Sequence, residues 1–150
     1  MIRPGSFLMV LLIASFALGC TDESVEISNS PQIEFLSISP QEVVAYKEKV
    51  IIRIKYIDGD GDLGENNPDV KNLIVTDSRN QVGFQFRIPE LAPRGSEIAI
   101  AGELPIEMDG IPIINEQAPS EVVSFSVQIT DRSGNQSNIV ETSPITVRRE

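Results

Sequence analysis

Between residues 49 and 56 the chain alternates: Val50, Ile52, Ile54 and Tyr56 share one parity, and Lys49, Ile51, Arg53 and Lys55 take the other. A period of two sets one side of a strand on a core and the other mostly in water. Val82, Phe84, Phe86 and Ile88 repeat it around Gly83, Gln85 and Arg87. Ile98, Ile100, Leu104, Ile106 and Met108 share a parity with Gly102, and Val123, Phe125, Val127 and Ile129 alternate with Ser124, Ser126 and Gln128. Further apolar runs at 33–38, 72–76 and 139–147 bring the expectation to about seven strands. The turn signals between them include Ser78-Arg79-Asn80, Pro93-Arg94-Gly95, Asp109-Gly110 and Ser133-Gly134-Asn135. Pro40 ends the first strand and Pro144 interrupts the last, which suits edge positions where a missing backbone donor costs little. The stretch 109–120, with Pro112 and Pro119, predicts a long ordered loop.

Composition agrees with this pattern. From residue 20 onward there are 18 Ile and 12 Val against 5 Leu and 5 Ala, and no stretch carries a helical repeat. β-branched residues of this kind fill pleated, half-buried surfaces. The expectation is all-β: a single antiparallel β-sandwich over residues 32–150, without internal repeat or second domain.

The N-terminus follows another rule. Arg3 precedes an uncharged apolar run from Phe7 to Leu18, too short to span a bilayer but of signal-peptide length. The Phe16-Ala17-Leu18-Gly19-Cys20 segment that follows resembles a bacterial lipobox, although Leu usually stands three places before the Cys, where Ala17 is found. The resemblance implies cleavage after residue 19, lipidation of Cys20, and a protein anchored to a membrane by its acyl chains rather than spanning it. Residues 20–31 would be a flexible tether. Asp22-Glu23, two places beyond Cys20, resembles the signal that sends Bacteroidota lipoproteins to the outer face of the outer membrane. An ordinary secretory signal with a free thiol is the alternative for Cys20, and a solvated acidic tether that for Asp22-Glu23.

Three stretches over about residues 32–149 carry a wider likeness: IEFLSISPQEV, IIRIKYIDGDGDLGE, and VSFSVQITDRSGNQSN followed by ITV. Together they resemble the immunoglobulin-like domains of Bacteroidota-type surface lipoproteins, in which DGDGDLG loops follow a strand. That resemblance implies an immunoglobulin-like sandwich and names no partner. The Cys pair and Trp of antibody domains are absent.

Candidate chemistry lies in the loop after Tyr56. Asp58, Asp60 and Asp62 stand at i, i+2 and i+4 around Gly59 and Gly61, with Gly64, Glu65, Asn66, Asn67 and Asp69 following. Three carboxylates about 5 Å apart repel by about 1 kcal/mol per pair even in water, so a bound cation favours folding the loop. Oxygen-only donors on a Gly-rich loop point to Ca²⁺ before Mg²⁺ or a transition metal. The spacing partly resembles EF-hand and dockerin calcium loops, with Asp69 at the twelfth place. Leu63 departs from it at the sixth, where Gly is required, and Pro68 and a strand follow in place of a helix. In an immunoglobulin-like sandwich the loop after 123–129 shares an end with this one, so Asp131, and Asn135 with it, would complete the coordination sphere. The alternative is an acidic turn left to solvent.

The remaining composition removes function classes. With no His and one Cys among 150 residues, imidazole bases, Ser-His-Asp or Cys-His systems, His-bearing zinc or haem sites and an internal disulfide are excluded. The formal net charge of −10, with 12 Lys+Arg against 22 Asp+Glu, repels nucleic acid. Phe84 and Phe86 read as core, Tyr46 as an exposed aromatic, and Lys47, Lys49, Arg53 and Lys55 as a solvated strand face. The reading favoured is a non-catalytic, lipid-anchored envelope module on the cell surface, with a structural Ca²⁺ loop and an unidentified extracellular or envelope protein or glycan as partner. A periplasm-facing structural accessory of an outer-membrane assembly is the second reading, and a small carboxylate hydrolase a remote third.

Overall fold

A computed structural model describes residues 27–150. The expected signal peptide, Cys20 and the first part of the tether lie outside the described residues. The described chain is all-β and sandwich-like. In chain order its strands are β1 (Gln32–Ser39), β2 (Glu42–Val44), β3 (Val50–Asp58), β4 (Leu73–Asp77), β5 (Gly83–Phe86), β6 (Ile100–Met108), β7 (Ser120–Val123), β8 (Phe125–Ile129), β9 (Val140–Glu141) and β10 (Ile145–Arg148).

One layer is the antiparallel sheet β1-β3-β6, with Phe35 opposite Ile54 and Ile54 opposite Leu104. Facing it are a four-stranded sheet β5-β4-β8-β9 and a three-stranded sheet β2-β10-β7. Only Ser124 separates β7 from β8, and only Thr142 to Pro144 separate β9 from β10, so these two sheets are halves of one bent layer. A single apolar cluster joins all three sheets, including Ile52, Ile54, Val75, Phe125, Val127, Ile129 and Ile145. Interdigitation of two inner faces of this kind is what makes a sandwich core.

The bend explains why ten strands stand where about seven are expected from the sequence. Val123, Phe125, Val127 and Ile129 are all buried, so the alternation passes through Ser124 unbroken while the backbone changes partners. β7 bonds to β10 and β8 to β4. At the corner the Phe125 N–H donates to Thr142 Oγ1 at 3.0 Å. Pro144, lacking an N–H, sits in the matching break between β9 and β10. β2 is too short to show a period, and it pairs parallel to β10, so the sandwich is not wholly antiparallel. In β1 the register shifts between Phe35 and Ser37, which turns Leu36 outward and moves the buried parity from Ile33 to Ile38.

The stretch 109–119 has no strand. Backbone bonds from Tyr46 to Ile111 and from Arg149 to Pro119 tie it down, together with a largely buried ion cluster. Arg79 donates to Asp77 Oδ2 and to Glu121 Oε2, both at 2.6 Å, while Glu121 accepts the Ile114 and Asn115 N–H groups at 2.8 and 2.6 Å.

Strand directions gather one set of loops at one end of the sandwich. Asp58 at the end of β3 pairs with Ile100 at the start of β6, and Leu73 at the start of β4 lies between Phe86 and Ile129. The segments 27–31, 59–72, 87–99 and 130–139 therefore meet there.

Candidate metal centre

β3 delivers Asp58 to the core. Its buried parity runs Val50, Ile52, Ile54, Tyr56 and then Asp58, which is 0% exposed. One carboxylate oxygen, Oδ2, accepts the Leu63 N–H at 3.0 Å, and the other, Oδ1, has no hydrogen-bond partner among the described residues. Burial, followed by the negative charges of Asp60, Asp62 and Asp131, pushes the Asp58 carboxyl up to about 6, only partly opposed by the Leu63 N–H.

The loop then curls so that Asp58, Asp60 and Asp62 each offer an oxygen within 4.8 Å of the others. Two oxygens bound to one hard cation at ~2.4 Å each can be no farther apart than about 4.8 Å, so every pair in the set lies within the span one ion can bridge. Oδ1 of Asp60 and Oδ1 of Asp62 are buried without partners, like that of Asp58. Three such orphans in one place are costly unless a cation or its waters satisfy them.

Glycine allows the curl. Gly61 and Gly64 have φ of 69° and 92°, and a Cβ on either would fall 2.2 Å from the Ile98 carbonyl oxygen or 2.1 Å from that of Pro89. Leu63, the residue that breaks the EF-hand spacing, is fully buried in the core cluster and pins the loop from beneath. The Glu65 N–H donates to the Ile88 carbonyl at 2.9 Å.

The turn after β8 closes the other side, as expected from the shared end. The Ser133 N–H and Oγ–H donate to Asp62 Oδ2 at 3.0 and 2.7 Å, the Arg132 N–H donates to the Asp62 carbonyl at 3.3 Å, and Arg132 Nη1 donates to the Gly64 carbonyl at 3.1 Å. Asp131, 6% exposed, takes a different part from the one the sequence suggests. Its two oxygens accept the Asn135 backbone N–H at 2.7 Å and side-chain amide at 2.9 Å, so Asp131 and Asn135 brace the turn that holds Asp62 and are not in the converging set. Asp69 is exposed and outside the set as well, so the twelfth-place likeness to an EF-hand has no counterpart in space. Sequence reasoning missed Leu63 as an anchor and Ser133 as a partner of Asp62. An isolated leucine within an acidic loop was the available signal for the first.

The comparisons with known proteins add nothing to this geometry. No protein-family model matches the chain, and no curated protein or solved structure does so significantly. What the chain carries is an acidic, oxygen-only cluster able to hold a metal ion. Its donors are carboxylate oxygens alone, with no imidazole in the chain and the sole thiol at Cys20.

Elsewhere, a groove of about 320 Å³ between edge strands β5 and β6 is lined by Leu73, Phe86, Ile88, Leu104 and Ile106 together with Arg87 and Glu107. Phe84 and Phe86 are half-buried against the core, Tyr46 is 70% exposed, and Lys49 lies 3.4 Å from both Glu107 and Asp109 on the solvated face of β3 and β6.

Proposed function

We propose that this chain is a non-catalytic, lipid-anchored envelope protein of the bacterial outer membrane, displayed on the cell surface, in which a structural Ca²⁺ ion stiffens one end of an immunoglobulin-like binding module. The observation that carries the cation reading is the convergence of the Asp58, Asp60 and Asp62 carboxylates, each of which also keeps one buried oxygen without a partner. Ca²⁺ is favoured over Mg²⁺ because carboxylates on a glycine-rich loop suit its flexible coordination sphere, whereas Mg²⁺ demands near-ideal octahedral geometry. A hydrolase needs its carboxylates at the wall of a substrate cleft, and these oxygens are enclosed. The anchor rests on the residues around Cys20, and the partner is an extracellular or envelope protein or glycan.

Thermal melting in EDTA and in 10 mM Ca²⁺ tests the cation reading. With a Kd of ~0.1 to 1 mM, in the range of extracellular calcium modules, 10 mM Ca²⁺ adds about 1.5 to 3 kcal/mol. That raises the midpoint by several degrees. Asp60→Asn should remove most of the rise, and equal midpoints in wild type would overturn the reading. Protease shaving of intact cells tests display: loss of the domain supports the surface, and full protection places it on the periplasmic side as a structural accessory.

A further inference from the structure

We propose that the cation loop and the N-terminal stem form one coupled unit, so that a divalent cation held by Asp58, Asp60 and Asp62 fastens residues 27–30 to the sandwich. This rests on the cation reading above and adds to it a consequence for the segment that leads toward the anchor.

Gly59 lies between two of the converging carboxylates, and its N–H donates to the Ser28 carbonyl at 2.9 Å. A Cβ on Gly59 would sit 2.5 Å from the carbonyl oxygens of both Ile27 and Ser28, so stem and loop meet backbone to backbone with no side chain between them. From Pro31 onward the chain is held independently. Pro31 is buried, and Ile33 exchanges two hydrogen bonds of 2.9 Å with the Asn138 side chain. Ile27, Ser28 and Asn29 are exposed, so among the described residues the Gly59 contact is what fastens this piece.

The second observation, beside the acidic cluster, is Asp58 itself: its side chain is 0% exposed, its carboxylate belongs to the converging set, and its Oδ1 has no partner among the described residues. Without a cation the three carboxylates repel, the backbone between Asp58 and Asp62 opens, and Gly59 leaves the stem. With a cation, the curl that satisfies the three oxygens is also the one that presents the Gly59 N–H to Ser28. Linkage is reciprocal, so docking of the stem must strengthen cation binding by the same factor.

The test uses the intact chain, with Ca²⁺ as probe. Calorimetry measures binding, and a nonspecific protease together with amide exchange at Gly59 reads the stem, in EDTA and in 10 mM Ca²⁺. Ca²⁺ should slow cleavage within 27–31 by tenfold or more and slow exchange at Gly59. Gly59→Ala should leave the stem cleaved at the EDTA rate while Ca²⁺ still binds, several-fold more weakly. Asp60→Asn, which leaves the stem contact intact in composition, should also be cleaved at the EDTA rate in Ca²⁺. Heat of Ca²⁺ binding with unchanged stem cleavage overturns the coupling alone. Absence of any heat overturns the cation reading and the coupling with it.

Discussion

Asp58 occupies the place in β3 where the core-facing parity runs out of apolar residues, and its behaviour follows from that. Its carboxyl stands near 6 in the folded chain against 3.8 for the ordinary group. The folded state therefore holds the proton more tightly than the unfolded one, so in EDTA the stabilisation is complete below about pH 4 and is lost as pH rises through about 6. The loss should be of order 2 to 3 kcal/mol. Urea titrations in EDTA between pH 4 and 7 should show this decline, and Asp58→Asn should flatten it while abolishing the Ca²⁺ effect. Gly64 gives a second check at the same scale. Gly64→Ala forces a side chain into positive φ and against the Pro89 carbonyl, and should cost about 2 kcal/mol or more by urea denaturation, with or without Ca²⁺. The three aspartates were legible as a set from their spacing with glycine. Their inequality was hidden, because an acidic loop read alone does not reveal that Asp58 still belongs to the strand. Asp69 and Asp131 were drawn in by spacing and by topology; Asn135 engages the Asp131 carboxylate within its own turn, and Asp69 stays exposed outside the set.

At the scale of elements, long alternating strands were readable and their breaks were not. β3 and β6 emerge close to expectation because each keeps one parity against one core. The change of sheet at Ser124 leaves parity untouched, so only the hydrogen-bond partners record it, whereas at Pro144 the inward side moves from Val140 and Thr142 to Ile145 and Val147. The expected long loop after β6 is held in part by a device invisible to periodicity, the Asp77–Arg79–Glu121 cluster. Asp77 is almost wholly buried and Arg79 nearly so, so Arg79→Ala should strand a buried carboxylate and cost about 3 kcal/mol or more in chemical denaturation. The backbone N–H groups of Ile114 and Asn115, aided by Arg79, hold the Glu121 carboxyl below its ordinary value. That contribution is present above the ordinary carboxylate range and is lost as pH falls through the depressed folded value. Hydrogen exchange should therefore show residues 112–118 loosening at low pH before the β3–β6 ladder does, and Glu121→Gln should loosen them at neutral pH.

For the whole molecule, the proposed anchor and the sandwich would make separate demands on one chain. If Cys20 carries acyl chains, Cys20→Ser should move the protein from the membrane to the soluble fraction and abolish labelling by a palmitate analogue, while the melting profile of the domain is unchanged. Eight residues then separate the lipid from the Ser28 carbonyl, no more than about 28 Å of fully stretched chain. Because Ser28 rests on Gly59, the end that carries the three aspartates would then hang over the membrane surface, and the sandwich would stand with this acidic foot toward the bilayer. Tyr46 and the 109–119 loop would then form the crown that a visitor from outside encounters first.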